Sequence, residues 1–170
     1  MNGILLIDKS KGITSFQICN QIRKKFQIKR VGHGGTLDPE ATGLLVVLLG
    51  KATRLFDSLQ NGSKEYEGTI VLGESRNTQD SAGTILEKID EKIVLEKATD
   101  EAIENTRVSF LGEQIQTAPL HSALKHKGKP LYYYARRDIA VEPKKRTVCF
   151  YTLEMSRTSP TILFFKSQVS

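Results

Sequence analysis

Val31-Gly32-His33-Gly34-Gly35-Thr36-Leu37-Asp38-Pro39-Glu40-Ala41-Thr42-Gly43-Leu44-Leu45 holds four glycines in twelve residues and runs without a break into the apolar stretch 44–49. Glycine permits tight turns and close approach of backbone to a ligand. Asp38 stands before Pro39, which biases it toward extended geometry. The pattern predicts a polar loop over 31–43 that feeds a buried strand over 44–49, because a short continuous apolar run bounded by turn residues reads as a core strand. A carboxylate between a shaped loop and a core strand has the fixed position that catalysis requires. The same residues also fit a plain turn, since Asp-Pro commonly starts one.

Upstream, residues 3–7 read as a short buried strand, followed by the basic turn Asp8-Lys9-Ser10-Lys11-Gly12. Thr14 with Gln17 makes a capping box. Ile18, Ile22 and Phe26 follow at helical spacing, so a helix is predicted over 15–27. Arg23, Lys24 and Lys25 in its last turn suit the helix dipole, which gives these charges a structural reason. Downstream, strands are predicted over 65–73, 84–89, 146–155 and 161–169, the last two joined near Ser159-Pro160, with a polar loop over 74–83. Thr99-Asp100 caps a helix reaching Phe110, and 131–137 reads as a short helix. Helices do not alternate regularly with strands. The expected class is therefore α+β, with a mixed, largely antiparallel central sheet and flanking helices, rather than a doubly wound α/β fold.

The chain has 170 residues, 39% hydrophobic and 26% charged, close to an ordinary globular domain and far from the profile of disorder. Two cysteines make neither a disulfide scaffold nor a closed zinc site. No apolar run approaches the ~20 residues of a membrane span, and Met1–Asp8 lacks the basic start of a signal peptide. The expectation is a cytoplasmic protein. The net charge of +6 is unevenly spread: residues 1–37 carry +6, residues 38–110 carry −6 and residues 111–170 carry +6. Basic surface favours polyanions through counterion release. Neither a P-loop nor G-x-G-x-x-G is present. His33, His121 and His126 show no H-x-x-x-H spacing, so no metal is expected.

GHGGTLDPEATGLL (32–45) closely resembles the central motif GHxGxLDPxATGxL of the bacterial tRNA pseudouridine synthase B family. Asp8-Lys9-Ser10-Lys11-Gly12-Ile13-Thr14-Ser15 resembles the family's DKPxGxTS opening. Lys64-Glu65-Tyr66 with Leu72-Gly73 resembles KxYxxxxxLG, and Thr78–Gly83 resembles TxDxxG. Ser122–Tyr132 with Ala135-Arg136 resembles SALKxxGKxLYxYAR. Five blocks in family order cover nearly the whole chain.

The resemblance implies isomerisation of the T-loop uridine at position 55 of tRNA to pseudouridine, with no cofactor. Asp38 matches the essential aspartate, which acts as a nucleophile or assists a proton transfer. The target base must be flipped out to react. Tyr66 matches the tyrosine that stacks on the flipped ring, and His33 the histidine that fills the vacated place in the RNA. Asp80 matches an acid that organises the site. Lys9, Lys11, Lys64, Lys125 and Lys129 are the candidate phosphate contacts. The implied partner is the T-arm of tRNA; separately, a monomer is expected.

The sequence departs from the family in places. Asn77 stands where Asp is usual, Val46 where Pro is usual, and Ala118-Pro119-Leu120-His121 replaces a PPxY-like stretch. Family members continue from a strand like 161–169 into SKGTYIRxL, which supplies an arginine for the catalytic Asp, and usually into a small RNA-binding domain. No residue in 1–170 matches that arginine. The expectation is a single, incomplete catalytic domain without the C-terminal RNA-binding domain. The alternatives are an inactive truncated form or a non-enzymatic tRNA-binding and folding protein. A glycine-loop nucleotide binder has only glycine count behind it. Because the resembled family adds packing beyond the last strand, the 170 residues are expected to be marginally stable. A cooperative melt at an ordinary mesophilic temperature would contradict that.

Overall fold

The computed structural model describes residues 1–117, 125–126, 128–130, 133–134, 137, 139, 141 and 145–170, with 125–126 and 129–130 in backbone only. The chain divides into two compact units, Met1–Gly62 and Ser63–Ser170.

The first unit opens with β1 (Gly3–Lys9) and α1 (Ser15–Phe26), followed by β2 (Val31–His33) and β3 (Gly43–Leu49). A 3-10 turn (Gly50–Leu55) and α2 (Phe56–Gln60) complete it. β3 is the middle strand, antiparallel to both neighbours, with Leu5 opposite Val47 and Ile7 opposite Leu45. Alternate side chains of a strand face opposite ways, so Leu5 and Ile7 pack on the core while Ile4 and Leu6 are exposed. α1 starts where predicted. Thr14 Oγ1 accepts from the Gln17 backbone N–H at 3.1 Å, and Gln17 Oε1 accepts from the Thr14 N–H at 2.8 Å. Ile18, Cys19 and Ile22 pack with Ile28, Val31, Leu45, Val47 and Leu49 into one core. Burial pushes the Cys19 thiol up, against the lowering effect of Arg23, so this cysteine is a core residue.

Two sequence expectations change here. Phe26 does not join the core; it is about half exposed. Gln27 adopts a left-handed conformation (φ 53°) that ends the helix, and Ile28 takes the inward place. The predicted loop over 31–43 also shortens, because Val31 is buried and pairs with Leu49 as part of β2.

The second unit contains β4 (Lys64–Val71), β5 (Glu74–Arg76), β6 (Ile85–Lys88), α3 (Glu91–Lys97), α4 (Asp100–Phe110) and β7 (Gly112–Thr117). β8 (Lys125–His126), β9 (Lys129–Pro130), β10 (Lys145–Ser159) and β11 (Ile162–Val169) follow. Its main sheet has the order β4-β11-β10-β7, antiparallel throughout, with Leu163 buried near the start of the inner strand β11. β5 pairs with β6, and β8 with β9. α4 is capped by Thr99 and held to β10 by Arg107, which donates to the Leu153 carbonyl at 2.9 Å, and by an edge-on Phe110–Phe150 contact. Between α3, α4 and the sheet an apolar groove of about 540 Å³ remains, lined by residues such as Ile70, Ile93, Phe150 and Met155.

The α+β class with antiparallel sheets agrees with the sequence reading. α3 and β7 carried no clear signal: α3 is two turns set by the Asp90 cap, and β7 is a polar strand selected by pairing with β10. Residues 74–76, read as loop, pair with β6 instead. The predicted helix over 131–137 and the Ser122–Tyr132 segment lie largely outside the described residues. No described helix is long and apolar enough to cross a membrane.

Leu45 lies in the first unit's core with 1% of its surface exposed. Leu45→Ala is expected to cost about 2–5 kcal/mol, read as a lower urea midpoint. A change below about 1 kcal/mol would show that this core is not what holds the unit together.

Candidate active site

The loop 34–42 is held by hydrogen bonds to its backbone at Gly34, Leu37, Asp38 and Pro39. Gly34 donates to the Val46 carbonyl at 2.7 Å and accepts from Gln60 Nε2 at 3.2 Å. A Cβ at Gly34 would meet Leu59 at 2.8 Å, so a side chain does not fit there without movement. The buried Ser15 hydroxyl accepts from the Leu37 N–H at 3.0 Å and donates to the Leu37 carbonyl at 3.1 Å. Ala41 N–H closes a turn on the Asp38 carbonyl at 3.1 Å. The Pro39 carbonyl accepts two bonds, from the Gly12 N–H at 2.8 Å and from Lys9 Nζ at 3.1 Å. Gly12 reaches that position with φ +83°, a region glycine enters without strain.

Lys9 corrects an expectation. Read as a phosphate contact, it has none of its surface exposed, and its ammonium also donates to Ser10 O at 3.0 Å and Ile13 O at 2.9 Å. A buried charge is tolerated when its hydrogen bonds are satisfied, and here all three protons are used. Lys9 therefore ties the basic turn to the aspartate loop and has no donor left for RNA.

Asp38 is exposed at the crest of this loop, and among the described residues its carboxylate has no hydrogen-bond or ion-pair partner. Both oxygens are open to a ligand. His33 ends β2 opposite Val47, one residue before the loop, and its Nδ1 is buried without a partner among the described residues. Lys11 is exposed but paired with Glu40 at 3.1 Å.

The other candidates belong to the second unit. Tyr66 sits in β4 opposite Ser167 and is about half exposed. Lys64, two residues earlier, pairs with Val169 in the ladder. Beside them Glu65 bonds Lys166 at 3.1 Å and holds that lysine's pKa above its ordinary value. Asp80 lies on the loop between β5 and β6. Its Oδ1 accepts from Thr78 Oγ1 at 2.6 Å and from the Ala82 N–H at 3.0 Å. Arg76 shapes the same loop, bonding the Gly83 carbonyl at 2.9 Å and Glu74 at 2.8 Å. Asn77 accepts from the Thr84 N–H at 3.0 Å through Oδ1, a contact an aspartate would also make. Lys125 and Lys129 lie on the β8–β9 pair, and their side chains lie outside the described residues.

Sequence reasoning missed Ser15 as a site residue. It follows the helix cap inside a recognised block, but only folding shows that its hydroxyl spans 22 positions to reach Leu37.

Comparison with known proteins places the chain among the pseudouridine synthases. It aligns with a chain of a crystal structure of a Cbf5-Nop10-Gar1 complex over 98% of its own length and 39% of that chain, with a TM-score of 0.68 and 28% identity. It belongs to the TruB family: the model described as TruB family pseudouridylate synthase (N terminal domain) matches residues 23–170. The tRNA pseudouridine synthase B of Oenococcus oeni is 46% identical over 147 residues, covering 86% of this chain and 48% of the relative. The tRNA pseudouridine synthase B of Desulfotalea psychrophila is 46% identical over 153 residues, covering 89% of this chain and 61% of the relative. The chain thus spans about half the length of the curated relatives it matches.

Ser15→Ala leaves the Leu37 amide without its partner. The expected loss is about 1–3 kcal/mol, with faster hydrogen exchange at the Leu37 amide than at the Val47 amide. An unchanged Leu37 exchange rate would remove Ser15 from the bracing of the loop.

Proposed function

We propose that this chain is the N-terminal, catalytic portion of a tRNA pseudouridine synthase, converting the T-loop uridine at position 55 to pseudouridine. The observation that carries this reading is Asp38: within a chain of the TruB family, it is a carboxylate without a partner among the described residues, on a loop whose backbone is tied down on both sides. Such a group meets a flipped nucleotide with little reorganisation, which is where fixed geometry and charge lower a barrier.

The reaction is an isomerisation. The N1–C1′ bond breaks, the uracil turns, and C5 bonds to C1′; C5 gives up a proton and N1 gains one. Nothing is oxidised or reduced, and no added cofactor enters the balance. In this proposal Asp38 serves the reacting nucleotide directly. Tyr66 stacks on the flipped ring, His33 occupies the place it leaves, and Asp80 orders the site from its turn. Lys64, Lys125 and Lys129 bind phosphates. Lys11 exchanges Glu40 for a phosphate, at little cost because an exposed pair contributes little. The enzyme acts as a monomer in the cytoplasm.

The experiment is pseudouridine formation in a T-arm minihelix by this chain and by its Asp38→Ala variant. Formation is expected to fall by several orders of magnitude in the variant, with RNA binding retained. Equal formation by both would sink the role of Asp38. Binding without product by both would favour an RNA-binding protein without catalysis.

A further inference from the structure

The positive charge of the chain is concentrated in its first unit. Residues 1–62 hold nine Lys or Arg and four Asp or Glu, giving +5, whereas residues 63–170 hold sixteen and fifteen, giving +1. Within the first unit the densest stretch is Arg23 to Arg30, with five cations and no acid in eight residues.

The helix dipole explains only part of this stretch. Its effect fades within the last turn, and α1 ends at Phe26. Arg23 is also used internally, bonding Asn20 and the Val31 carbonyl. Lys29 and Arg30 lie beyond the helix, and Lys51 comes from the turn after β3. Lys24, Lys25, Lys29, Arg30 and Lys51 are all exposed, and none has an ion-pair partner among the described residues. Like charges gathered without counter-charge repel one another, so folding alone gives no reason to group them.

The backbone beneath them is closely tied. The left-handed Gln27 returns its N–H to the Arg23 carbonyl, and Ile28 anchors the segment in the core. Gly50 donates to the Arg30 carbonyl at 2.8 Å, and Lys51 donates its N–H to Asn2 Oδ1 at 2.8 Å. Gly50 has φ +57°, and Asn2 leaves no room there for a side chain. Three separate segments thus converge on a concavity of about 430 Å³ lined by Phe26, Lys29, Arg30, Lys51 and Met1. Phe26, displaced from the core, stands half exposed at its side, with Lys25 Nζ 5.8 Å from its ring centre.

We infer that this concavity is a second RNA contact, distinct in its residues from the aspartate loop, which takes the phosphodiester backbone on Lys29, Arg30 and Lys51 and offers Phe26 to an unstacked base. Cations beside an exposed aromatic ring suit a strand that is charged along its backbone and flat at its bases. Fixing the cations on hydrogen-bonded backbone lowers the ordering cost of binding. The choice of RNA rests on the function proposed above; the surface deepens it by holding the substrate away from the reacting base.

The test is fluorescence anisotropy with a labelled T-arm hairpin between about 50 and 200 mM salt. The variant Lys29→Gln/Arg30→Gln/Lys51→Gln is compared with Lys88→Gln/Lys92→Gln/Lys97→Gln, which removes the same charge from exposed positions of the second unit. The first is expected to lower the slope of log K against log salt by about 2 and to weaken binding at least tenfold at the lower salt. The control is expected to leave the slope within about 0.5, and kcat at saturating RNA is unchanged in both. Lys29→Gln alone lowers the slope by about 0.7–0.9, which decides the matter if the triple variant does not fold. Equal slopes in the two triple variants overturn the surface, even where pseudouridine still forms. RNA binding that drops in the first variant while the parent makes no pseudouridine supports the surface and removes the function. A parent chain that binds no RNA overturns both.

Discussion

The Pro39 carbonyl oxygen is where the first unit closes on itself. It accepts the Gly12 N–H and the Lys9 ammonium, so the turn after β1 and the aspartate loop before β3 become one structure. The ammonium is wholly buried, and a charge in that position persists only while every proton has an acceptor. The three carbonyls around it must therefore keep their places. That requirement fixes the backbone on one side of Asp38, and the Ser15 hydroxyl fixes it on the other. The carboxylate itself takes no part in this network. A side chain engaged in structural bonds would have to break them to meet a ligand; here backbone and neighbours carry the constraint and the Asp38 carboxylate is left open.

The two units solve the packing problem differently. In the first, a three-stranded sheet and one amphipathic helix enclose a dense core from Ile18 to Leu49. In the second, a four-stranded sheet is covered by two short helices that leave an apolar groove, and several large side chains there are close to half exposed. The charge divides the same way, with nearly all of the net positive charge on the well-packed unit. The well-packed unit, with a net charge of +5, also carries the candidate carboxylate Asp38.

Membership of the TruB family and a span of about half the relatives' length bear on the same point. Those relatives contain sequence beyond the part that this chain matches. Among the described residues the Asp38 carboxylate has no ion-pair partner, so the role proposed for it rests on its fixed position and its openness.

Much of the fold was legible along the chain. The apolar run 44–49, the Thr14–Gln17 box and the Thr99 cap each specify an element through contacts within a few residues, and each appears where expected. β7 and α3 were not legible, because a polar strand is selected by its neighbour and a two-turn helix has too little periodicity to read. Phe26 kept the helical spacing of a core residue yet ended outside, since the helix stops beside it. The motif blocks identified Asp38, His33, Tyr66 and Asp80 as candidates through their residue types and order. Their surroundings were not readable in that way. Lys9 looked like any surface lysine, and Ser15 like the residue after a cap. The sequence by itself determined the family, the local elements and the choice of Asp38 as the candidate carboxylate, because these depend on short spacings and residue chemistry. Only the tertiary structure decided that Lys9 is an internal brace, that Ser15 holds Leu37, and that Lys29, Arg30 and Lys51 share one concavity with Phe26. Those facts depend on hydrogen bonds and burial between segments far apart in the chain, and no local pattern records them.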